Sequence, residues 1–548
     1  MNATHPPAPD VAADYVRLGY WRNLCGDDYL RRCVREFPDR VAVVDRERRA
    51  TFKEVDALAT RFAAAIAALG VGPGDVVSFQ LPNWLEAVVV YRGIVKLGAI
   101  ANPVVPIYRG RELRFILKQA RSKVAVIPKT FRGFDFAEMY RGFRAELPDL
   151  DAVIVVGGAA DGCIAYDTLM DGAAVPVADA GRPRAPEPHP DDIALLLYTS
   201  GTTADPKGAL HSHNTLCYDA HYVGEWFQMN ERDAIFNPSP VTHITGVLCA
   251  LNIPFVLGCK VVLQDVWDAD AALQLIEDER CTFMIFATPF LQGLTSSPGL
   301  AKHDVSSVRY IVCGGADIPL ELMKDASARL GCVVRQYGAT EAPSTTCTNL
   351  WDPFDKRATT DGRWMFPTQG RIVDEHGASV PAGAVGEVVW RGPDMFLGYL
   401  DPALNADAFT TAGEFRTGDL ASMDADGYLT VRGRRKDIIN RGGEKISAKE
   451  VEDLIYEHPA VQEAAVVAMP DPMLGEKGCA YVVLKPGASL TFEELARHLG
   501  AREIAKQKLP ERLEIIPELP KTASGKVQKF VLRERIATRI ARERGQGA

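Results

Sequence analysis

An apolar run at 193–198 (IALLLY) ends abruptly in a string of small and hydroxyl-bearing residues, 198–208 (YTSGTTADPKG), and a helical pattern follows over 213–227. A buried-type strand, a glycine-bearing turn and a helix in that order demand a sheet with helices laid on its faces. The turn carries a chemistry of its own. Gly201 lets backbone N–H groups approach oxygens, the hydroxyls of Thr199, Ser200, Thr202 and Thr203 donate, and Lys207 adds positive charge, which together describe a phosphate cradle. It is not a Walker A loop, because the Gly-x4-Gly-Lys-Ser/Thr spacing is missing.

Similar alternation runs through the first part of the chain. Residues 52–69 are Ala-rich with apolar positions at helical spacing, and GVGPG at 70–74 stops them; 76–81 reads as a strand and 84–96 as the next helix. The Pro-rich stretch 182–190 reads as an extended linker. From 386 to 431 short β-like segments and turn signals such as Asp426-Gly427 predict a β-rich portion. Beyond a boundary near residue 435, strands at 464–468 and 480–484 alternate with helices at 448–456 and 492–499, a compact α+β pattern of about 110 residues. The expected class is α/β. A large N-terminal region of several subdomains, with layered, mostly parallel sheets and a β-rich part, precedes a small α+β domain. A length of 548 residues suits several cores rather than one.

Charge and cysteine use exclude several classes. A net charge of −9 leaves no global positive field to collect nucleic-acid phosphates, and the basic end, with eight basic and two acidic residues in 521–548, reads as a solvated face. The 11 cysteines include no Cys-x-x-Cys pair; Cys217, Cys249, Cys259, Cys281, Cys313 and Cys332 sit singly in apolar surroundings and read as core residues. Residues 1–14 lack the basic start and apolar segment of a secretory signal. The longest apolar stretch, 246–259, is too short to span a bilayer and contains Asn252 and Pro254. A cytoplasmic chain without a membrane span is expected.

The string at 198–208 closely resembles the phosphate loop of the adenylate-forming enzymes, which include acyl-CoA synthetases, luciferases and peptide-synthetase adenylation domains. Further blocks similar to that family follow in its order: 313–317 (CGGAD), 336–341 (QYGATE), 386–388 (GEV), 416–419 (RTGD), 433–437 (GRRKD) and 520–526 (PKTASGK). The resemblance spans roughly residues 30 to 535. Two positions depart from the family pattern: Ala204 stands for a glycine, and Gln336 for an asparagine.

That resemblance implies a two-step reaction in which a carboxylate attacks the α-phosphate of ATP and a thiol then displaces AMP. It places 199–207 on the β- and γ-phosphates and Glu341 on Mg²⁺, a hard cation that a carboxylate suits. Gly315, Ala316, Gln336, Tyr337, Gly338 and Thr340 would surround the adenine and α-phosphate, with Tyr337 stacked on the base. Asp419 would accept from the ribose hydroxyls, and Arg434 would assist at the ribose or phosphate. Lys526 would be catalytic, its ammonium stabilising charge on the carboxylate and α-phosphate. The division falls into an adenylation domain at 1–435 and a mobile domain at 436–548 hinged near Lys436. The loop 441–444, with Gly442 and Gly443, would then replace Lys526 and line a channel for the thiol of coenzyme A. Taken singly, Glu341 reads as a surface acid, Asp419 as a turn residue and Gly442-Gly443 as a turn; the ordered set assigns them.

His243, in 240–246 (PVTHITG), matches the position that lines and gates the acyl pocket in the resembled family. The apolar segment after it offers no acid for an α-ammonium group, so the small-molecule partner expected is a hydrophobic carboxylic acid. Segments 78–84, 102–106 and 286–290 look most like bacterial short- or medium-chain and alicyclic acid–CoA ligases, and less closely like dihydroxybenzoate ligases that load a carrier protein. No carrier domain follows Lys526, which favours free coenzyme A as acceptor. Carrier loading and a non-catalytic nucleotide sensor are the alternatives, and a homodimer is compatible with all of them.

Overall fold

The computed structural model describes residues 1–172, 188–199, 206–315, 318–331, 333–442, 444–502, 504–522 and 525–543. Most of the expected linker at 182–190 therefore lies outside the described residues, as do Ser200, Gly201, Thr202, Thr203, Ala204, Ala316, Cys332 and Gly443.

Among the described residues, two large sheets carry the N-terminal region. One has seven strands. Five of them, Ile193–Thr199, Ile100–Pro103, Val76–Phe79, Val124–Pro128 and Ala152–Val156, lie side by side in parallel. The other has nine strands, six of them parallel: Val41–Asp45, Lys260–Leu263, Ala234–Asn237, Phe283–Phe286, Tyr310–Gly314 and Val333–Ala339. Strands such as Val76–Phe79 and Ala152–Val156 are buried along their whole length, as parallel strands covered on both faces must be.

Helices Phe52–Ala68 and Leu85–Leu97 pack on each other within the core that joins the two sheets. The first starts at a capping box, in which Thr51 accepts from the Glu54 N–H while the Glu54 carboxylate accepts from the Thr51 N–H. The second is buried over 87–95, so it meets neighbours all round rather than showing an apolar stripe. Gly93 makes this approach possible: a Cβ there would stand 2.8 Å from Phe62 Cδ1 and 2.9 Å from the Ala59 carbonyl oxygen.

A four-stranded antiparallel sheet, Gln369–Val373, Val385–Arg391, Phe415–Met423 and Leu429–Arg434, forms the β-rich part. After a 3-10 turn at Arg435–Asp437 comes a five-stranded sheet built on the long hairpin Val461–Asp471 and Gly475–Leu484. Helices Ala448–Tyr456 and Phe492–Gly500 share one apolar cluster with this sheet, and Lys529–Glu543 contributes Leu532 and Ile536 to a second cluster. Each fully buried Leu or Ile in these clusters contributes roughly 1.5–3 kcal/mol.

Two local features differ from the sequence expectation. Between Thr199 and the helix His213–Trp226 the chain forms a return strand, Lys207–Ser212, antiparallel to Ile193–Thr199, with Thr199 opposite Lys207. The apolar stretch after His243 contains a π-helical segment, Val247–Asn252, where the Asn252 side-chain N–H donates to the Val247 carbonyl at 2.9 Å. The cysteines described in the apolar segments, Cys217, Cys249, Cys259, Cys281 and Cys313, are buried and unbridged, as expected. Among the described residues no helix is long and apolar enough to cross a membrane.

Candidate functional site

Parallel strands leave their carboxyl ends on one edge of the sheet, and loops from that edge build a cleft. Ser239 and His243 follow strand Ala234–Asn237, Ala287 follows Phe283–Phe286, Gly315 follows Tyr310–Gly314, and Gln336, Gly338 and Thr340 come from the end of Val333–Ala339. Leu248, Phe290 and Pro343 add apolar wall, and Lys526 enters from the C-terminal region. The cleft encloses about 80 Å³ and opens to solvent at its mouth. Six residues singled out from the sequence thus meet in one cavity: His243, Gly315, Gln336, Gly338, Thr340 and Lys526.

The glycines have backbone reasons to be there. Gly315 sits at φ +75°, and a Cβ on Gly338 would lie 2.0 Å from the Pro343 carbonyl oxygen. Gln336 is buried with its side-chain Nε2 unpartnered, a donor left for whatever occupies the cleft.

Glu341 is buried at the edge of this cavity, and the Tyr399 hydroxyl donates to its Oε1 at 2.6 Å. That leaves Oε2 for a cation. The Lys207 Nζ stands 5.1 Å over the Tyr399 ring, so Lys207, Tyr399 and Glu341 form one connected unit. Burial, with the Glu341 charge beside it, pushes the Tyr399 phenol far up, which keeps it a donor. His211, buried and held down to about 4, donates from Nε2 to the Thr340 carbonyl at 2.8 Å and accepts at Nδ1 from Thr215 Oγ1 at 3.2 Å. A neutral imidazole thereby fixes the backbone beside Glu341.

A second polar unit joins Tyr337, Asp419 and Arg434. Strand pairing puts Asp419 opposite Arg434 in the four-stranded sheet. Arg434 Nε lies 2.9 Å from Asp419 Oδ1, while the Tyr337 hydroxyl donates to Oδ2 at 2.7 Å. Asp419 keeps Arg434 firmly charged, and burial holds the Tyr337 phenol well above its usual range.

His243 is pushed down to about 3, first by burial and then by the Lys526 ammonium, and its Nδ1 accepts from the Thr245 N–H at 3.3 Å. The ring is therefore neutral near pH 7. Burial lowers Lys526 below an ordinary lysine and Arg434 adds to this, whereas Asp419 and Glu341 oppose it. Its Cε stands 3.7 Å from where a Cβ on Gly315 would be.

Two expected residues are elsewhere in the fold. Gly442 does not line the cleft; its N–H donates to the Leu474 carbonyl at 2.8 Å, within the C-terminal sheet region. Lys436 sits in the turn Arg435–Asp437 and is lowered to about 8 by burial and by Arg434. Tyr399 and His211 were not legible as site residues, because their partners lie 58 and 129 positions away. The same holds for Asp219 and Asp394, two buried acids that lie outside the apolar segment after His243.

Residues 30–400 match AMP-binding enzyme, and residues 450–526 match AMP-binding enzyme C-terminal domain. The chain is 36% identical over 534 residues to a medium-chain fatty-acid–CoA ligase of Escherichia coli (strain K12), covering 97% of this chain and 94% of that one. It is 32% identical over 545 residues to a 2,3-dihydroxybenzoate-AMP ligase of Bacillus subtilis (strain 168), covering 97% and 98%. Its fold superposes on the crystal structure of the anthranilate CoA ligase AuaEII in complex with anthranoyl-AMP with a TM-score of 0.85 at 28% identity, over 95% of this chain and 98% of that one. The ATP-bound MatB of Rhodopseudomonas palustris gives a TM-score of 0.83 at 28% identity, over 93% and 99%. With both family regions matched in order across most of its length, this chain belongs to the AMP-binding enzymes of the adenylate-forming superfamily, as an acid ligase.

Proposed function

We propose that this enzyme is an AMP-forming carboxylic acid–CoA ligase. The observation that carries the reading is the convergence of Lys526, neutral His243 and the Gly315–Gln336–Gly338 wall in one cleft flanked by the Glu341 and Asp419 units. In the first step a carboxylate oxygen of the acid attacks the α-phosphorus of ATP; the new P–O bond forms as the bond to pyrophosphate breaks. Two anions must meet, so the half-buried ammonium of Lys526 has the task of neutralising them in a partly dry site. Lys207 and Thr199 hold the phosphate tail, Asp419 accepts from the ribose hydroxyls, and the Gln336 amide donates to the base. Glu341, oriented by Tyr399, would hold Mg²⁺, which supplies charge neutralisation on the phosphates.

In the second step the coenzyme A sulfur attacks the acyl carbon, the bond to AMP breaks, and the thiol proton leaves to solvent. Gly442 then serves the thiol channel after a movement about Lys436, which divides the chain into working units at 1–435 and 436–548. Neutral His243, at the pocket mouth, packs against the acyl group without adding charge. The test is pyrophosphate release from Mg-ATP over a panel of acids, short and medium-chain, alicyclic and aromatic, with and without coenzyme A. Turnover that needs coenzyme A supports the ligase. Release that stops at a bound adenylate favours carrier loading, the reading supported by the likeness to a dihydroxybenzoate-AMP ligase.

A further inference from the structure

Tyr399, which donates to Glu341, sits on a loop at 396–400 that runs beside strand Lys207–Ser212. One edge of the loop is tied to the site. The Phe396 N–H donates to the Glu341 carbonyl at 2.8 Å, the Leu397 N–H to the Leu210 carbonyl at 2.7 Å, and the Leu400 N–H to the Gly208 carbonyl at 2.7 Å. The carbonyls of Leu397 and Tyr399 belong to the opposite edge, and a bare strand edge leaves such groups without donors.

The N-terminal segment supplies those donors. The Leu397 carbonyl accepts from the N–H groups of Thr4 at 3.0 Å and His5 at 2.8 Å, and the Thr4 hydroxyl donates to the Tyr399 carbonyl at 2.7 Å. Gly398 makes room for them: it sits at φ +94°, and a Cβ there would stand 2.9 Å from the His5 backbone nitrogen. His5 also begins a train of rings that ends on Tyr399. Its imidazole stacks on Phe409 with centroids 3.6 Å apart, Phe409 stacks on Phe396 at 5.3 Å, and Phe396 meets the Tyr399 ring edge-on at 4.9 Å. A further tie comes from Trp21, whose Nε1–H donates to the Pro393 carbonyl at 2.9 Å.

We infer that Thr4 and His5 are positioning residues for the cation-binding carboxylate. Thr4 holds the Tyr399 backbone and His5 its ring, so that the phenol keeps one Glu341 oxygen occupied and the other aimed at the metal ion. Neither residue lines the cleft, so both act through Tyr399. The inference deepens the ligase reading and rests on its assignment of a divalent cation to Glu341.

The experiment measures ATP affinity by equilibrium dialysis, once with saturating Mn²⁺ and once in EDTA; the ratio is the gain that the metal gives. In Thr4→Val/His5→Ala that gain should fall ~3–10-fold, the range that the loss of one or two modest contacts supports, while affinity in EDTA stays within twofold of wild type. In a Tyr399→Phe background the same two substitutions should change the gain by less than twofold, because the route is already cut. Thr4→Ser/His5→Phe keeps the donor and the stack and should keep the wild-type gain. An unchanged gain in Thr4→Val/His5→Ala, a full further loss in the Tyr399→Phe background, or an equal loss of affinity in EDTA would each overturn the inference. A gain that is absent in the wild type, or untouched by Glu341→Gln, would overturn the cation assignment and the inference with it. The acid-ligase activity itself is read separately, by pyrophosphate release.

Discussion

Replacing Lys526 with alanine removes the one ammonium that, among the described residues, reaches the cleft from the C-terminal region. At an effective dielectric near 20, two unit charges 4 Å apart interact by roughly 4 kcal/mol. Deleting a preorganised charge-stabilising group of this kind typically costs about 10²–10³ in rate. The side chain is partly desolvated and lies beside Arg434, so its charge is already costly to keep; its removal leaves thermal stability equal or slightly raised. The expected outcome is a 10²–10³-fold loss in acid-dependent ATP–pyrophosphate exchange at unchanged melting temperature. Thioester formation from supplied acyl-adenylate should stay within threefold of wild type, because no pair of anions meets in that step. An exchange rate within threefold of wild type in Lys526→Ala would refute the reasoning that neutralisation by Lys526 drives the first step.

Three further perturbations follow from the geometry. Gly338→Ala puts a Cβ 2.0 Å from the Pro343 carbonyl oxygen, so the hairpin must open; a loss of about 2 kcal/mol or more in urea unfolding, together with loss of ATP binding, is expected, and wild-type stability would contradict the close approach. Tyr399→Phe deletes the 2.6 Å donor to Glu341, a hydrogen bond to a charged acceptor worth roughly 1.5–3 kcal/mol. The magnesium concentration for half-maximal rate should rise ~10-fold, and an unchanged titration would detach Tyr399 from cation binding. Asp394 is held up to about 7 by burial, whereas the unfolded chain titrates near 3.8, so the folded state binds more protons between those values and loses stability as pH rises through them. Asp394→Asn should therefore gain on the wild type between pH 5 and pH 8 by on the order of 3 kcal/mol in chemical unfolding; a pH-independent difference would contradict the buried, protonated acid.

Helix Phe52–Ala68 and strand Ile193–Thr199 were legible because each shows a strong local pattern, apolar spacing closed by GVGPG in one and an unbroken apolar run in the other. The C-terminal helices Ala448–Tyr456 and Phe492–Gly500 were equally plain, starting at Ser447 and Thr491, whose hydroxyls cap them. The return strand Lys207–Ser212 was not, since KGALHS holds no β-branched or aromatic residue and owes its pairing to the neighbouring strand. The π-helical segment was hidden for a different reason. Every residue from Val247 to Asn252 is buried, so a change of helical period leaves no trace in the apolar pattern. Ordered motifs pointed to His243, Gly315, Gln336 and Lys526, which the fold gathers from distant strand ends into one cleft. What no motif carries is a tertiary pair between remote segments. Tyr399 with Glu341 is one example; Asp219 with Asp394 is another, where a mid-helix aspartate reads as a solvent-facing residue until the fold buries it.

The central claim is that a carboxylate oxygen bonds to the α-phosphate, and isotope transfer tests it most directly. The acid that turns over best is supplied with both carboxylate oxygens as ¹⁸O, with Mg-ATP and coenzyme A, and the products are read by mass spectrometry. Attack at the α-phosphorus followed by thiol displacement leaves one ¹⁸O in AMP and one in the thioester. Unlabelled AMP, with ¹⁸O in pyrophosphate or inorganic phosphate instead, would contradict the account.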